Sequence, residues 1–276
     1  MKLLFLSGIF LFISCGSLFY QPQKKIYTTP KAYKFEYENI FFKSLDSTRL
    51  NAWLIKSLSP PNGIILFFHG NAQNISTHFM NLAWISKYGW DIFMIDYRGY
   101  GQSEGRSSKE GIYQDVIASF DYIKEINKNK KYKRVVLYGQ SLGGIASSGA
   151  LIDYKSKHIF DTIILDSTFD SYLEIGKDVL KRSWITTPFS LLTKILLNDK
   201  HSLKNHYSKL PPKSKYLIIH GTHDKVVPYR FGKRIFDNIP FSKQLWTIKN
   251  GHHIGTYWEN NKVYRKKLLD YLNKNN

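Results

Sequence analysis

The chain has 276 residues, of which 43% are hydrophobic and 16% aromatic, so it can bury a full-size core. These values exclude a disordered or collagen-like chain. The 40 lysines and arginines outnumber the 21 acids, and the formal charge of +19 favours an anionic neighbourhood such as nucleic acid or a lipid surface. The single cysteine excludes an internal disulfide, a thiolate zinc site and a CxxC redox pair.

Residues 1–19 have the pattern of an export signal. Lys2 precedes an apolar run at 3–13 and small residues around Cys15, and the run is too short for a comfortable transmembrane helix, which needs about 20 residues. Residues 11–15 resemble a bacterial lipoprotein signal, which implies lipidation at Cys15. The alternatives are an uncleaved anchor, an ordinary export signal or a cytosolic start. We expect an exported, membrane-associated protein, a lipoprotein of the bacterial cell envelope.

Residues 20–33 are polar, carry Pro22 and Pro30, and are interpreted as a tether. From residue 34 to 276, short apolar runs alternate with helical patterns. This alternation predicts one α/β domain, with a mostly parallel central sheet and helices on both faces. The predicted strands are 50–55, 64–68, 91–95, 134–138, 162–165, 216–219 and 244–248, and the predicted helices are 76–87, 109–127, 142–154, 229–238 and 258–272.

The segment from about 171 to 212 interrupts this alternation, because it has helical patterns at 172–183 and 188–198 and no strand pattern. We predict a small helical cap inserted into the domain. The cap is basic and includes Trp184 and Phe189. These side chains are compatible with an acyl-chain site or a lipid-facing surface, and also with a small core within the cap.

The sequence Gly139-Gln140-Ser141-Leu142-Gly143 is a G-x-S-x-G motif directly between a predicted strand and a predicted helix. This context is that of a nucleophile elbow, in which a strained turn exposes the serine hydroxyl. We therefore predict that Ser141 is a nucleophile. The alternative is a glycine-rich turn that has no catalytic role.

A serine nucleophile needs a base and an acid that orients the base, in the chain order Ser, acid, His on this architecture. Asp224 lies in the loop after the strand at 216–219, and His252 follows Gly251 after the last strand. We assign the acid to Asp224 and the base to His252. Asp166, at the end of the strand at 162–165, is the alternative acid.

Acyl transfer also needs hydrogen-bond donors for the developing oxyanion. The backbone N–H of Leu142, at the start of the elbow helix, is one candidate. The loop after the strand at 64–68 reads His69-Gly70-Asn71-Ala72, and the backbone N–H of Asn71 is the second candidate.

Together these motifs resemble the α/β-hydrolase superfamily, and more narrowly the Bem46-like group, which includes α/β-hydrolase domain proteins 13 and 17. The resemblance runs from about Phe35 to the end of the chain and implies the α/β-hydrolase fold. It also implies Ser141 as nucleophile, Asp224 as acid and His252 as base. His253, where relatives more often carry Asn, is the alternative base. The matching motifs are HGNA at 69–72, DYRGYGQSEG at 96–105, GQSLGG at 139–144, HGTHDKVVP at 220–228 and GH at 251–252.

Other kinds of site fit the sequence less well. His220, His223 and Asp224 lie in a loop and do not have the helical spacing of a two-histidine metal motif, so we expect no metal. We expect no cofactor, because no phosphate-binding loop or dinucleotide motif is present. His69 and His78 are expected to be structural. Basic runs without an RNA-binding motif do not favour nucleic acid.

The sequence therefore predicts a membrane-tethered serine hydrolase that cleaves carboxylic ester or thioester bonds of a small-molecule or lipid acyl substrate, as some mammalian relatives do when they remove palmitate from protein cysteines. A serine peptidase or aminoacyl amidase is one alternative. A non-catalytic module that binds a membrane surface is another.

Overall fold

Ten strands are present in the computed structural model, which describes residues 19–130, 132–182, 187, 193, 197–259 and 261–273. Two short strands pair with each other, and the other eight form one sheet. In chain order the strands are β1 (Gln21–Pro22), β2 (Tyr37–Lys43), β3 (Arg49–Ile55), β4 (Gly63–Phe68), β5 (Ala72–Gln73), β6 (Trp90–Asp96), β7 (Val135–Gln140), β8 (Thr162–Asp166), β9 (Lys215–Gly221) and β10 (Lys243–Ile248).

The large sheet has the strand order β2-β3-β6-β4-β7-β8-β9-β10. Strand β3 runs antiparallel to β2 and β6, and the other neighbouring pairs are parallel. The predicted α/β-hydrolase architecture, with a mostly parallel central sheet, is confirmed. Because β4, β7, β8, β9 and β10 are parallel neighbours, the loops after their carboxyl ends meet at one edge of the sheet.

Helices cover both faces of the sheet in the described part of the chain. One hydrophobic core lies between the sheet and the helices Lys109–Lys130, Leu142–Asp153 and Tyr229–Asn238, and the other lies between the opposite face and the helix Asn261–Asn273. The helices are α1 (Ile75–His78), α2 (Lys109–Lys130), α3 (Leu142–Asp153), α4 (Tyr172–Leu180), α5 (Tyr229–Asn238), α6 (Thr256–Glu259) and α7 (Asn261–Asn273).

Two elements differ from the sequence-based expectations. Strand β2 was not predicted, because it lies at the edge of the sheet and is mostly solvent-exposed, which removes the apolar run typical of a buried strand. The helix predicted at 76–87 is instead α1 followed by two 3-10 segments. Phe79, Leu82 and Ile85 are fully buried there, and their three-residue spacing matches the three residues per turn of a 3-10 helix.

Part of the predicted organisation lies outside the described residues. This applies to the export signal with Cys15, and to Trp184, Phe189 and most of the cap pattern at 188–198. Helix α4 corresponds to the first helix of the predicted cap and is shorter than the predicted 172–183. None of the described helices is both long enough and apolar enough to cross a membrane.

The polar segment 20–33, interpreted above as a tether, packs along the domain. Tyr20 is 5% exposed, and β1 pairs with β5 in the loop beyond β4. The Asn74 side-chain amide donates to the Gln23 and Lys25 carbonyls, both at 2.7 Å. Because strand pairing and side-chain hydrogen bonds fix this segment, its polar composition reflects backbone docking and not a free linker.

Candidate active site

Ser141 lies in the sharp turn that joins strand β7 to helix α3. Its backbone φ is 54° and its ψ is −117°, a conformation that L residues rarely adopt. The Ser141 N–H donates to the Asp166 carbonyl at 2.9 Å, and the Thr168 hydroxyl donates to the Ser141 carbonyl at 2.6 Å. A Cβ at Gly143 would lie 2.1 Å from the Phe68 carbonyl oxygen, so this position requires glycine. The turn therefore has the strained geometry of a nucleophile elbow.

The histidine that faces Ser141 is His253, which corrects the sequence-based assignment of the base to His252. The His253 Nε2 lies 3.0 Å from the Ser141 Oγ, and the His253 Nδ1 lies 2.7 Å from the Asp224 Oδ2. The side chain of His253 is 17% exposed, whereas His252 is an exposed residue. The alternative base, His253, thus has the position of the general base.

The turn after strand β10 explains this shift by one position. Asn250 has a φ of 59°, and the Gly251 N–H donates to the Ile248 carbonyl at 3.0 Å. After this turn His252 is exposed, and the next residue, His253, is the one whose Nε2 faces the Ser141 Oγ. The Gly251-His252 pair in the sequence therefore indicates the turn, but its histidine is not the one that faces Ser141.

Asp224 is held in place by hydrogen bonds to both of its carboxylate oxygens. The backbone N–H groups of Val226 and Val227 each donate to Oδ1 at 2.8 Å, which leaves Oδ2 for His253. Burial would raise the pKa of Asp224, but hydrogen bonds from His220 and His253 outweigh burial and lower this pKa to about 2. Asp224 is therefore ionised at neutral pH and can stabilise an imidazolium.

The alternative acid, Asp166, has a different environment. Its carboxylate accepts hydrogen bonds from the Tyr138 hydroxyl at 2.9 Å and the Gln140 side-chain amide at 3.0 Å. Burial raises the pKa of Asp166. These contacts hold Asp166 among the side chains of the sheet, whereas the carboxylate that contacts the imidazole belongs to Asp224.

The two loops with the predicted oxyanion donors adjoin Ser141. Leu142 is the first residue of helix α3, where a backbone N–H has no acceptor within the helix. Asn71 follows Gly70, and a Cβ added to Gly70 would lie 3.6 Å from the Ser141 Cβ. The loop after β4, residues 69–73, therefore passes directly beside the nucleophile, and we call it the oxyanion loop.

The side chain of Asn71 joins the oxyanion loop to the N-terminal segment, a role that the sequence analysis missed. Its Nδ2 donates to the Phe19 carbonyl at 2.6 Å. Its Oδ1 accepts from the Gln21 N–H at 3.1 Å and from the Tyr100 hydroxyl at 2.9 Å. The backbone of the predicted oxyanion donor is thus positioned by three contacts of its own side chain.

Two buried histidines support the oxyanion loop, His69 from within the loop and His78 from helix α1. The rings of His69 and His78 stack with centroids 5.1 Å apart, and they donate to the Gly70 and Ala72 carbonyls at 2.7 and 2.9 Å. Burial and the neighbouring His69 lower the pKa of His78 to about 3, so His78 is neutral at physiological pH. Both imidazoles therefore support the loop backbone, which is the structural role expected of them.

A cavity of about 510 Å³ opens in front of Ser141 and His253. Its lining is mostly apolar and comes from the N-terminal segment, helix α4 and the loops at the carboxyl edge of the sheet. Among the described residues that line it, Arg182 is charged and no Asp or Glu is present. Within the described ranges, no group of three or more His, Cys, Asp or Glu residues is arranged to hold a metal ion. The apolar lining side chains include Phe19, Leu142, Phe169, Ile175, Val179 and Val227.

Comparisons with known proteins agree with this architecture. The family model described as "Serine aminopeptidase, S33" matches residues 59–207, more than half of the chain. The uncharacterized protein YfhR of Escherichia coli strain K12 is 31% identical over 261 residues, which cover 93% of this chain and 86% of YfhR. The α/β-hydrolase domain-containing protein WAV2 of Arabidopsis thaliana is 31% identical over 254 residues, which cover 89% of this chain and 82% of WAV2.

A solved structure extends the comparison to the fold. The esterase Pf2001 of Pyrococcus furiosus has a TM-score of 0.74 at 19% sequence identity, over 93% of this chain and 98% of the esterase. This likeness shows a shared fold. Together with the family match and the relatives above, it means that the chain belongs to this family of α/β hydrolases.

Proposed function

We propose that this hydrolase cleaves carboxylic ester or thioester bonds through an acyl-enzyme formed on Ser141, with a small-molecule or lipid acyl substrate. The observation that carries the proposal is the hydrogen-bonded path from the Ser141 Oγ through His253 to Asp224, at 3.0 and 2.7 Å. A serine hydroxyl is a weak nucleophile and reacts when an oriented base removes its proton. This path supplies such a base next to an apolar cavity.

In acylation, the Ser141 Oγ attacks the carbonyl carbon while its proton moves to the His253 Nε2. Asp224 accepts the hydrogen bond from the His253 Nδ1 and stabilises the imidazolium. The backbone N–H groups of Leu142 and Asn71 donate to the oxyanion. The tetrahedral intermediate then collapses, and His253 returns the proton to the departing oxygen or sulfur. Water, activated by the same imidazole, hydrolyses the acyl-enzyme.

The cavity lining favours an acyl group over the free amino terminus of a peptide. An aminopeptidase substrate has an ammonium group, and burying a charge is costly unless a group of opposite charge pairs with it. In the described part of the lining, the charged side chain is the cation Arg182. A neutral acyl chain has no such requirement, and the cavity volume lies in the range of about 300–1,000 Å³ that is usual for small-molecule sites.

Labelling with a fluorophosphonate, followed by a panel of p-nitrophenyl esters of increasing chain length, tests the proposal. We expect the probe to label the folded protein at Ser141 and the esters to be hydrolysed. Ser141→Ala is the control and should abolish both reactions. Unchanged ester turnover in Ser141→Ala would overturn the proposal. A folded wild-type protein that the probe does not label would favour the non-catalytic membrane-binding module.

The peptidase alternative is raised by the description of the matching family, and a direct comparison separates the two activities. The kcat/KM for short acyl p-nitrophenyl esters is measured beside that for aminoacyl p-nitroanilides. We expect turnover of the esters and little or none of the anilides. A higher kcat/KM for the aminoacyl amides would reverse the substrate assignment while leaving the role of Ser141 unchanged.

A further inference from the structure

We propose that the face around the cavity mouth docks on an anionic lipid surface, and that acyl substrates enter the cavity from this surface. The rim of the mouth is defined here by Val179, Lys181, Arg182, Lys225 and Val226. The identity of the substrate rests on the proposed acyl chemistry, whereas the docking itself rests on the composition and position of the rim.

The apolar lining of the cavity continues onto the protein surface at the rim. Val179 is 49% exposed and Val226 is 52% exposed, although both line the cavity. The Arg182 guanidinium donates to the Val226 carbonyl at 2.7 Å and so joins the two sides of the mouth. Single exposed apolar residues are common, but here two flank the opening of one apolar cavity. An apolar or interfacial surface would bury both of them together with the substrate path.

Cations surround these two valines. Lys181, Arg182 and Lys225 are exposed on the rim, and the Arg230 side chain beside it is 63% exposed. Asp178 forms ion pairs with Arg182, at 3.0 Å, and with Arg230. Asp178 offsets one of these four cations, so the four cations and Asp178 together have a net positive charge. Basic residues are attracted to the negative surface potential of an anionic bilayer, so the rim charge favours an anionic surface over a neutral one.

The N-terminal segment enters the domain at the same cavity. Phe19 lines the cavity, contacts the Tyr172 ring with centroids 6.0 Å apart, and is fixed to Asn71 through its carbonyl. The apolar run of the sequence ends at residue 13. Six residues of extended chain reach about 20 Å at most. If a membrane holds this run, that membrane lies within about 20 Å of Phe19, which lines the same cavity as the rim residues Val179, Arg182 and Val226.

The lipid expected at Cys15 and the rim complement each other physically. A single lipid chain gives marginal membrane binding, and stable attachment takes a second signal such as a basic patch. The rim supplies that second signal at the place where it also directs the cavity mouth toward the bilayer. The proposal thus accounts for the exposed valines, the surrounding cations and the entry point of the N-terminal segment.

The test measures co-flotation of the full chain with vesicles of phosphatidylcholine, with and without phosphatidylglycerol. The rim variant is Lys181→Glu/Lys225→Glu. The matched control, Lys155→Glu/Lys213→Glu, makes the same charge change at exposed positions that precede strands β8 and β9, at the opposite edge of the sheet. Hydrolysis of a water-soluble short-chain ester is measured for all proteins in parallel.

We expect wild type and the control to bind the anionic vesicles at least tenfold more strongly than the neutral vesicles. For the rim variant, we expect binding to the anionic vesicles to exceed binding to the neutral vesicles by less than threefold. An equal gain for the rim variant and the control would overturn the docking proposal. Hydrolysis of the soluble ester should be the same in all three proteins. If none of them hydrolyses the ester while flotation follows the expected pattern, the proposed function fails and the docking surface stands.

Discussion

The two sides of Ser141 hold similar residues in different environments. On the side of the proposed triad, which we call the catalytic side, His253 contacts the Asp224 carboxylate at 2.7 Å. On the loop side, His69 lies 3.4 Å from the Asp96 carboxylate. The imidazole of the first pair is 17% exposed and reaches the Ser141 Oγ, whereas that of the second is fully buried and donates to a backbone carbonyl.

This difference shows that a carboxylate beside an imidazole does not by itself place that imidazole against Ser141. The two sides differ in what the second imidazole nitrogen faces. On the catalytic side this nitrogen faces the Ser141 Oγ and is accessible from the cavity. The loop side holds backbone groups in position, and the catalytic side leaves one nitrogen facing the nucleophile. Substitutions on the two sides should therefore differ in kind.

The largest effect is expected for Asp224→Asn. Because the N–H groups of Val226 and Val227 hold Oδ1, the Asn amide nitrogen must face His253 and impose the wrong imidazole tautomer. We expect kcat to fall by about 10³–10⁴-fold with little loss of stability. Ester hydrolysis and thermal unfolding measure the two effects.

Asp166→Asn is the matched control for this prediction, since Asp166 is also a buried carboxylate next to the elbow. We expect its kcat, per folded molecule, to stay within about tenfold of wild type, because its partners are side chains of the sheet. If Asp166→Asn instead lost as much activity as Asp224→Asn, the separation of the catalytic acid from its structural neighbour would be wrong.

A smaller effect is expected for Asn71→Ala, which removes the contacts of the oxyanion loop to Phe19, Gln21 and Tyr100. The backbone N–H at 71 remains but loses its positioning. We expect kcat to fall about tenfold, with KM changing less, because an oxyanion contact is strongest in the transition state. Tyr100→Phe, which keeps the contacts to the N-terminal segment, should lower kcat less than threefold. Equal losses in both variants would contradict this positioning role.

The smallest effect on turnover, and a distinct effect on stability, is expected for His78→Gln. The folded protein holds the pKa of His78 at about 3, whereas the unfolded chain has the ordinary value of 6.5. Between these values the unfolded chain binds more protons, so the free energy of unfolding falls as the pH falls, by roughly 1.4 kcal/mol per unit. Glutamine can donate to the Ala72 carbonyl without this proton uptake.

Urea unfolding at pH 6 and pH 5 measures the difference. We expect the wild type to lose roughly 1 kcal/mol more than His78→Gln over this interval. Identical losses would mean that His78 takes up its proton in the folded state and does not stay neutral beside the oxyanion loop.

The sequence predicted the strands around the site because their burial on both faces produces continuous apolar runs, as in β4 and β7. It also predicted Ser141 and Asp224 as site residues, because each lies in a loop directly after such a strand and few residue types can act as nucleophile or acid. Strand β2 and the docking of segment 20–33 were missed, because backbone pairing of exposed residues leaves no apolar pattern.

The base could not be predicted from residue type, since His252 and His253 are identical and adjacent. The directions of their side chains depend on the turn that begins with Asn250, whose φ is 59°. The Gly-His pair in the sequence does not reveal that the residue before it has this left-handed conformation. The contacts of the Asn71 side chain were equally inaccessible, because they join residues 19 and 100 to the loop across long sequence separations.

The rate of Ser141 labelling by a fluorophosphonate in two single variants, His253→Ala and His252→Ala, tests the central claim most directly. We predict that labelling slows by about 10³-fold or more in His253→Ala and stays within threefold of wild type in His252→Ala. Slow labelling in His252→Ala together with normal labelling in His253→Ala would contradict the assignment of the base and the account of the site built on it.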